Sequence, residues 1–143
     1  MLQGMIQIDD ATNEEQSYIG HQLVSYNNAK APFTQDPPLL SIDRCVRENN
    51  EVVGGICARV YGWNILYIDT LWVKEEYRNK GYASALVKDV EAKAKAMKCK
   101  ISHLDTYDFQ AKDFYERLGY TVFGTLEDCP EGHNRYFMSK RLG

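Results

Sequence analysis

The sequence predicts an α/β (α+β) fold: a mixed, mostly antiparallel central sheet flanked by helices. Three observations carry that prediction. Residues 40 to 73 hold three short runs rich in β-branched and apolar residues, parted by turn residues. Residues 82 to 97 carry an apolar stripe at helical spacing, and residues 101 to 141 alternate strand, helix, strand, strand. Size agrees: 143 residues with 44% hydrophobic and 26% charged side chains suit one ordinary globular core. A chain this long buries roughly two-thirds of the surface its unfolded form exposes.

The first segment, "GMIQIDDATNEEQSYIGHQLVSYNNA", reads as a short strand, a turn over Asp9 to Asn13, then a helix in which Tyr18, Leu23 or Gln22, and Tyr26 recur at helical spacing. A single domain is placed at 5–143, with Met5 as natural start and residues 1–4 as a cloning remnant or disordered N-terminus. The helix stops in "NNAKAPFTQDPP", which holds three of the four prolines and carries Phe33 ahead of Leu39. Surface loops of this kind often line binding sites.

"SIDRCVREN" then turns at Asn49–Asn50, "EVVGGICARVYG" turns again at Gly62 to Asn64, and "ILYIDTLWV" completes a β-meander. Gly54–Gly55 inside a strand marks a bulge or a close backbone approach, and no helix follows to make it a dinucleotide fingerprint. From about Tyr82 to Met97 a helix presents Leu86, Val90, Ala94 and Met97 inward, with Asp89/Lys93 and Glu91/Lys95 pairs outward. "KISHLDT" is a buried strand. "FQAKDFYERLG" is a helix with Ala111, Phe114 and Leu118 inward and Gly119 as its stop. "YTVFGTL" and "NRYFMSKRL" are the last strands, and a parallel crossover joins the strands near Ile68 and Leu104.

Charge excludes some partners. A net charge of −3 and a pI near 5.6 supply no basic face for nucleic acid, and the lysines of "VEAKAKAMKCK" read as a solvated helix end. The longest apolar stretch contains Asp69 and is too short to span a bilayer, and the N-terminus lacks a secretory profile, so no membrane partner and a cytoplasmic location are expected. Cys45, Cys57, Cys99 and Cys129 form no CxxC pair, and His21, His103 and His133 sit at no ligand spacing, which predicts reduced structural thiols and no metal.

The chemistry concentrates at "YRNKGYASALV". The first amides of a helix lack internal partners and carry the positive end of its dipole, so a turn ending there binds anions. Gly81 omits a side chain where phosphate oxygens would approach, while Arg78 and Lys80 add charge, a local chemistry suited to a pyrophosphate.

"LWVKEEYRNKGYASALV" resembles motif A of the GNAT family of N-acetyltransferases, whose pattern Arg/Gln-x-x-Gly-x-Gly/Ala is met by Arg78, Gly81 and Ala83. "AKDFYERLGY" is similar to the family's later helix, and the order of elements matches from Met5 onward. The resemblance implies acetyl-CoA as co-substrate, no metal, and acetyl transfer to a small-molecule or peptide amine. A homodimer through the last strands is a family-level expectation. Carried over by position, amides of Asn79, Lys80, Gly81, Tyr82, Ala83 and Ser84, beside Arg78, hold the pyrophosphate; strand amides near Leu71 and Val73 take the pantetheine arm and thioester; and Tyr115 lies by the sulfur. The family often has Asn-x-x-Ala where this chain has Asp108-x-x-Ala111, so Asp108 stands at one cofactor contact with altered chemistry.

Amine acylation needs a base, because an alkyl amine with a pKa near 10 is protonated at neutral pH. It also needs an acid for the departing thiolate. Tyr115 is either that acid or a boundary tyrosine packing by its ring. Asp69, a carboxylate inside an apolar strand, is either base or structural carboxylate; alternation places it on one face with Tyr67, Leu71 and Val73. Asp105 shares that ambiguity, and Glu131 and His133 are loop alternatives. Phe33, Tyr61, Trp63, Tyr67 and Tyr107 are candidates for an acceptor wall or plain core. No cysteine has a histidine nearby in sequence, which favours direct attack over a covalent intermediate. Rivals to the enzyme reading are a non-catalytic acyl-CoA binding or sensing module and a structural interaction domain.

Overall fold

A computed structural model describes residues 2–143, which divide into two units, the first ending at Phe33 and the second spanning 34–143. In the first, Leu2–Met5 makes one 3-10 turn and α1 spans Asn13–Lys30. Thr12 and Glu15 form a capping box: the Glu15 N–H donates to Thr12 Oγ1 at 3.1 Å and the Thr12 N–H donates to Glu15 Oε1 at 2.9 Å. The expected strand before this helix is absent. Residues 6–12 are irregular, and Ile6 and Ile8 stay exposed, because a strand forms only where another strand takes its amides and carbonyls. The expected apolar face of α1 also fails: Tyr18, Leu23 and Tyr26 are exposed and no residue of the helix is buried. Of the expected remnant at 1–4, Met1 lies outside the described residues.

The second unit is built on a six-stranded sheet. Its strands are β1 (Leu39–Glu48), β2 (Glu51–Tyr61), β3 (Ile65–Val73), β4 (Ile101–Tyr107), β5 (Thr121–Leu126) and β6 (Arg135–Arg141), in spatial order β1-β2-β3-β4-β6-β5. All neighbours are antiparallel except β3 and β4, the expected parallel crossover. Asn49 and Asn50, at φ 51° and 65°, make a two-residue turn of left-handed residues, whose twist matches the right-handed twist of the strands it joins. The glycine pair in β2 marks a close approach: a Cβ on Gly54 would meet Trp72 O at 3.2 Å, and one on Gly55 would meet Arg44 O at 3.1 Å.

The β3–β4 connection is α2 (Tyr82–Ala96), which buries Leu86, Val87, Val90 and Ala94 against Ile56, Ala58, Leu66, Ile68 and Leu104. Glu91 departs from the expected solvated face. It is buried, accepting from Lys140 Nζ at 2.9 and 3.1 Å and from the Tyr120 hydroxyl at 2.9 Å, while that hydroxyl also pairs with Ser102 Oγ at 2.7 Å. Asp89 likewise pairs with Arg44 at 2.9 Å rather than with Lys93. Helical spacing placed these carboxylates but not the cations of other elements that meet them. Removing Glu91 leaves Lys140 without its ion-pair partner and the Tyr120 hydroxyl with Ser102 alone, so Glu91→Ala is expected to cost about 3 kcal/mol, within the usual range for breaking a buried pair. A chemical-denaturation midpoint unchanged from wild type would contradict this.

The short helix α3 (Lys112–Arg117) follows β4 and ends where Gly119 takes φ 99°. It is shorter than the helix expected over 109–119; Ala111, Phe114 and Leu118 pack inward against the core as expected, and Tyr115 enters it more deeply, with 5% of its surface exposed.

Candidate active site

β3 and β4 pair only from Ile65–Ile101 to Tyr67–His103 and diverge beyond, because β3 turns out of register there. Opposite Cys57 and Ala58, β3 carries one extra residue: Thr70 faces Cys57, Ile68 faces Ala58, and Asp69 is left unpaired as a β-bulge. The bulge reverses the phase of burial. Leu66 and Ile68 are buried before it, Leu71 and Val73 are turned inward after it, and Asp69 and Thr70 are both exposed. Simple alternation therefore misplaced Asp69, which does not share a face with Leu71 and Val73. Where the strands part, a cleft opens in two joined portions of about 800 and 580 Å³ that share Val73, Arg78, Ala83, Gln110, Ala111 and Phe114.

The larger portion is walled by Asn79, Gly81, Tyr82, Ala83 and Ser84 on one side and by Asp108, Lys112, Asp113 and Arg117 on the other. After the 3-10 turn Glu75–Tyr77, Asn79 at φ 63° and Gly81 at φ 85° put left-handed residues on either side of Lys80. Alternating conformations of this kind turn successive N–H groups toward one concavity. The first helical bond runs from the Ala85 N–H to Gly81 O at 3.0 Å; among the described residues the amides of 79 to 84 have no partner, and Gly81 supplies no side-chain cap. No atom lies within 4 Å of the position a Cβ would take on Gly81, so glycine is required there by its φ and by whatever must enter, not by protein crowding. Arg78 donates from Nε to the Val73 carbonyl at 2.9 Å, which fixes its guanidinium at the end of β3. Lys80 lies over the Tyr77 ring at 5.2 Å and does not line the cleft. Lys112 and Arg117, not singled out in the sequence, set positive charge on the opposite wall beside the carboxylates of Asp108 and Asp113, with Lys112 paired to Glu116 at 3.1 Å.

Asp108 lines this portion, but both its oxygens are engaged: Oδ1 with His133 Nδ1 at 2.8 Å and Oδ2 with the Asn134 N–H at 2.7 Å. These contacts hold its carboxyl below the usual range, the Asn134 amide contributing most. Asp108 thus fastens the loop before β6. His133 serves the same tie, and Glu131 is exposed outside both portions of the cleft.

The smaller portion is lined by Asp69, Thr70, Leu71, Trp72, Asp105, Thr106, Phe109 and Tyr115. Burial pushes the Tyr115 hydroxyl up to about 12, and among the described residues it has no hydrogen-bond partner. It is therefore a protonated donor that opens on the cleft. Its ring is set edge-on to Phe114 at 5.2 Å and to Tyr120 at 5.7 Å. Asp105 is committed to structure, accepting from Arg135 Nη2 at 2.7 Å and Nε at 3.0 Å and from the Tyr67 hydroxyl at 3.0 Å. Asp69 keeps half its side chain exposed and, among the described residues, has one ionic partner, Arg59, at 3.8 Å.

The aromatic wall is not the one expected. Among Phe33, Tyr61, Trp63, Tyr67 and Tyr107, none lines either portion of the cleft. Tyr61 and Tyr67 flank His103, which bonds the Tyr61 hydroxyl at 2.7 Å and is held below its ordinary pKa by burial. Trp72 and Phe109 line the cleft instead. The bulge that exposes Trp72 leaves no trace in residue spacing, and Phe109, read in the sequence as the start of a helix, lies in the turn before α3 because that helix begins only at Lys112. The proline-rich stretch also sits elsewhere: Gln35 Nε2 donates to Val60 O at 3.0 Å and the Gly62 N–H donates to Pro38 O at 2.8 Å, so it buttresses the β2–β3 turn. Among the described residues no metal-binding cluster occurs, and no helix is long and apolar enough to cross a membrane.

Comparison with known proteins adds three likenesses to one family match. The sequence model described as "Acetyltransferase (GNAT) family" matches residues 5–120. The chain is 36% identical over 96 residues to a protein of Streptomyces morookaense named blasticidin-S acetyltransferase, covering 66% of this chain and 70% of that one. A crystal structure of an acetyltransferase from Bacillus cereus ATCC 14579 superposes with a TM-score of 0.86 at 34% identity, over 96% of this chain and 98% of that one. An acetyltransferase of Bacillus anthracis solved with acetyl coenzyme A shares the fold at a TM-score of 0.63 and 20% identity, over 71% of this chain and 62% of that one.

Proposed function

Because this chain belongs to the acetyltransferase (GNAT) family, we propose that it moves the acetyl group of acetyl-CoA directly onto the primary amine of a small molecule. The observation that carries the reading is the row of unpartnered amides at 79 to 84, opening on a cleft that runs on to the unpartnered Tyr115 hydroxyl. The name of the Streptomyces relative and the acetyl-CoA in the Bacillus anthracis structure support the same choice of substrates.

The residues fit the co-substrate. Open space above Gly81 and the positive end of α2 suit a diphosphate, with Arg78, Lys112 and Arg117 adding charge along the walls. Acetyl-CoA brings an acyl group already activated as a thioester. Asp69 takes a proton from the incoming ammonium, so that the neutral amine can attack. Tyr115 donates toward the departing sulfur. With its pKa near 12 against roughly 8.5 for a thiol, it keeps its proton and stabilises the departing thiolate by a hydrogen bond, while the second proton that the nitrogen loses as the amide forms passes to solvent in the open cleft. No cysteine lines the cleft, in keeping with direct transfer.

Acetyl-CoA at a hundredfold excess over its Kd is expected to stabilise the fold by about 2.7 kcal/mol, and free thiol should then appear only when an accepted amine is added. Stabilisation without thiol release across a broad amine panel would favour the sensing module. Absence of any thermal shift would remove the cofactor site altogether.

A further inference from the structure

We propose that the acceptor is a small cationic amine bearing a planar ring, which lies against Trp72 and Phe109 and directs its ammonium group to Asp69. The proposal rests on the acetyl-transfer reading and narrows its acceptor.

The rings are the first ground. Trp72 and Phe109 are 50% and 58% exposed, yet both line the smaller portion of the cleft that also holds Tyr115. Large aromatic surfaces left open around a cleft mark a place where a ligand covers them. Both are held ready. Phe109 stacks on Tyr107 at 5.2 Å with planes 5° apart and meets the His133 ring edge-on at 5.0 Å. Trp72 stands across from Gly55 in the β2–β3 ladder and also borders a second depression with Cys45, Val52 and Cys57, and half of it stays open.

Charge is the second ground. Of the two carboxylates in this portion of the cleft, Asp105 is saturated by Arg135 and Tyr67. Asp69 has only a long contact with a half-exposed arginine, and the bulge turns it away from the core. It is the carboxylate with capacity for an incoming cation, and a cation beside aromatic faces gains further attraction. A flexible lysine of a protein would use the charge but leave the rings uncovered.

The test compares benzylamine with cyclohexylmethylamine, which matches it in size and charge but lacks the flat ring, and with a lysine-containing peptide. Acetyl transfer and calorimetric binding to the CoA-saturated protein are both read. Benzylamine is expected to exceed the other two at least tenfold in kcat/KM, and Trp72→Ala or Phe109→Ala to erase most of that preference with acetyl-CoA affinity retained. Asp69→Asn should weaken binding of both small amines tenfold or more. Equal use of benzylamine and cyclohexylmethylamine, preference for the peptide, or an unaltered ratio in both aromatic variants would overturn the proposal. Ring-selective binding without acetylation would keep the acceptor site and overturn the transfer reading instead; binding of neither amine would overturn the acceptor site itself.

Discussion

Gly81→Val raises the Kd for acetyl-CoA at least a hundredfold while the free protein still folds. The size follows from two effects that act together. Valine at φ 85° is strained by about 1–3 kcal/mol, so the turn moves to relieve it and the amides on either side lose their common aim. Any valine that kept the native backbone would fill the space now open above residue 81, where the diphosphate must approach. A hundredfold is about 2.7 kcal/mol, within reach of either effect combined with lost amide contacts. Because a Cβ there meets no protein atom, the cost to folding is that backbone strain alone, with no clash added to it. Calorimetric titration of acetyl-CoA into the variant checks this, and wild-type affinity would refute the role of the turn.

Tyr115→Phe lowers kcat by roughly two to three orders of magnitude, in the range of a lost acid or a lost stabilising donor, and leaves acetyl-CoA affinity within a few-fold. The ring stays, and with it the edge contacts to Phe114 and Tyr120, so what is removed is one hydroxyl with no other partner. Its pH dependence has a definite sign. The folded pKa of about 12 is raised above the ordinary 10, so the neutral form is favoured by folding; that contribution to stability is complete below pH 10 and fades as pH rises toward 12. Hence Tyr115 keeps its proton throughout the neutral range, and no alkaline limb of kcat below about pH 11 belongs to it. An alkaline limb near pH 9 that vanished in Tyr115→Phe, or a kcat equal to wild type, would remove Tyr115 from the chemistry.

What could be read from residue order was local. The glycine-bearing turn before α2, the paired asparagines of the first hairpin and the Gly119 stop each follow from backbone requirements of single residues, and each stands where expected. The parallel crossover followed from a strand, a helix and a strand in succession. Matters set by register were not visible. One unpaired residue at Asp69 reversed the faces of everything after it on β3, converting Trp72 into a cleft residue and separating Asp69 from Leu71 and Val73. Matters set by distant partners were equally hidden: Glu91 meets Lys140 and Tyr120 from the far end of the chain, and Asp105 meets Arg135, so neither carboxylate behaves as its own helix or strand would suggest. The strand expected ahead of Asp9 shows the same limit, since β pattern without a neighbouring strand yields irregular chain. Tyr115 fell between these cases, because its place on α3 was readable while its depth of burial depended on how α3 packs against Tyr120 and the sheet.

The claim on which the rest depends is that the amides of 79 to 84 bind the diphosphate of the co-substrate. Backbone amide chemical shifts followed during a titration with coenzyme A read those groups one by one. Large, saturating displacements confined to residues 79–84 and the β3 edge at 71–73 are predicted, as N–H groups now open to water take phosphate oxygens. Saturable binding that leaves 79–84 unmoved and shifts another set of amides would contradict the account.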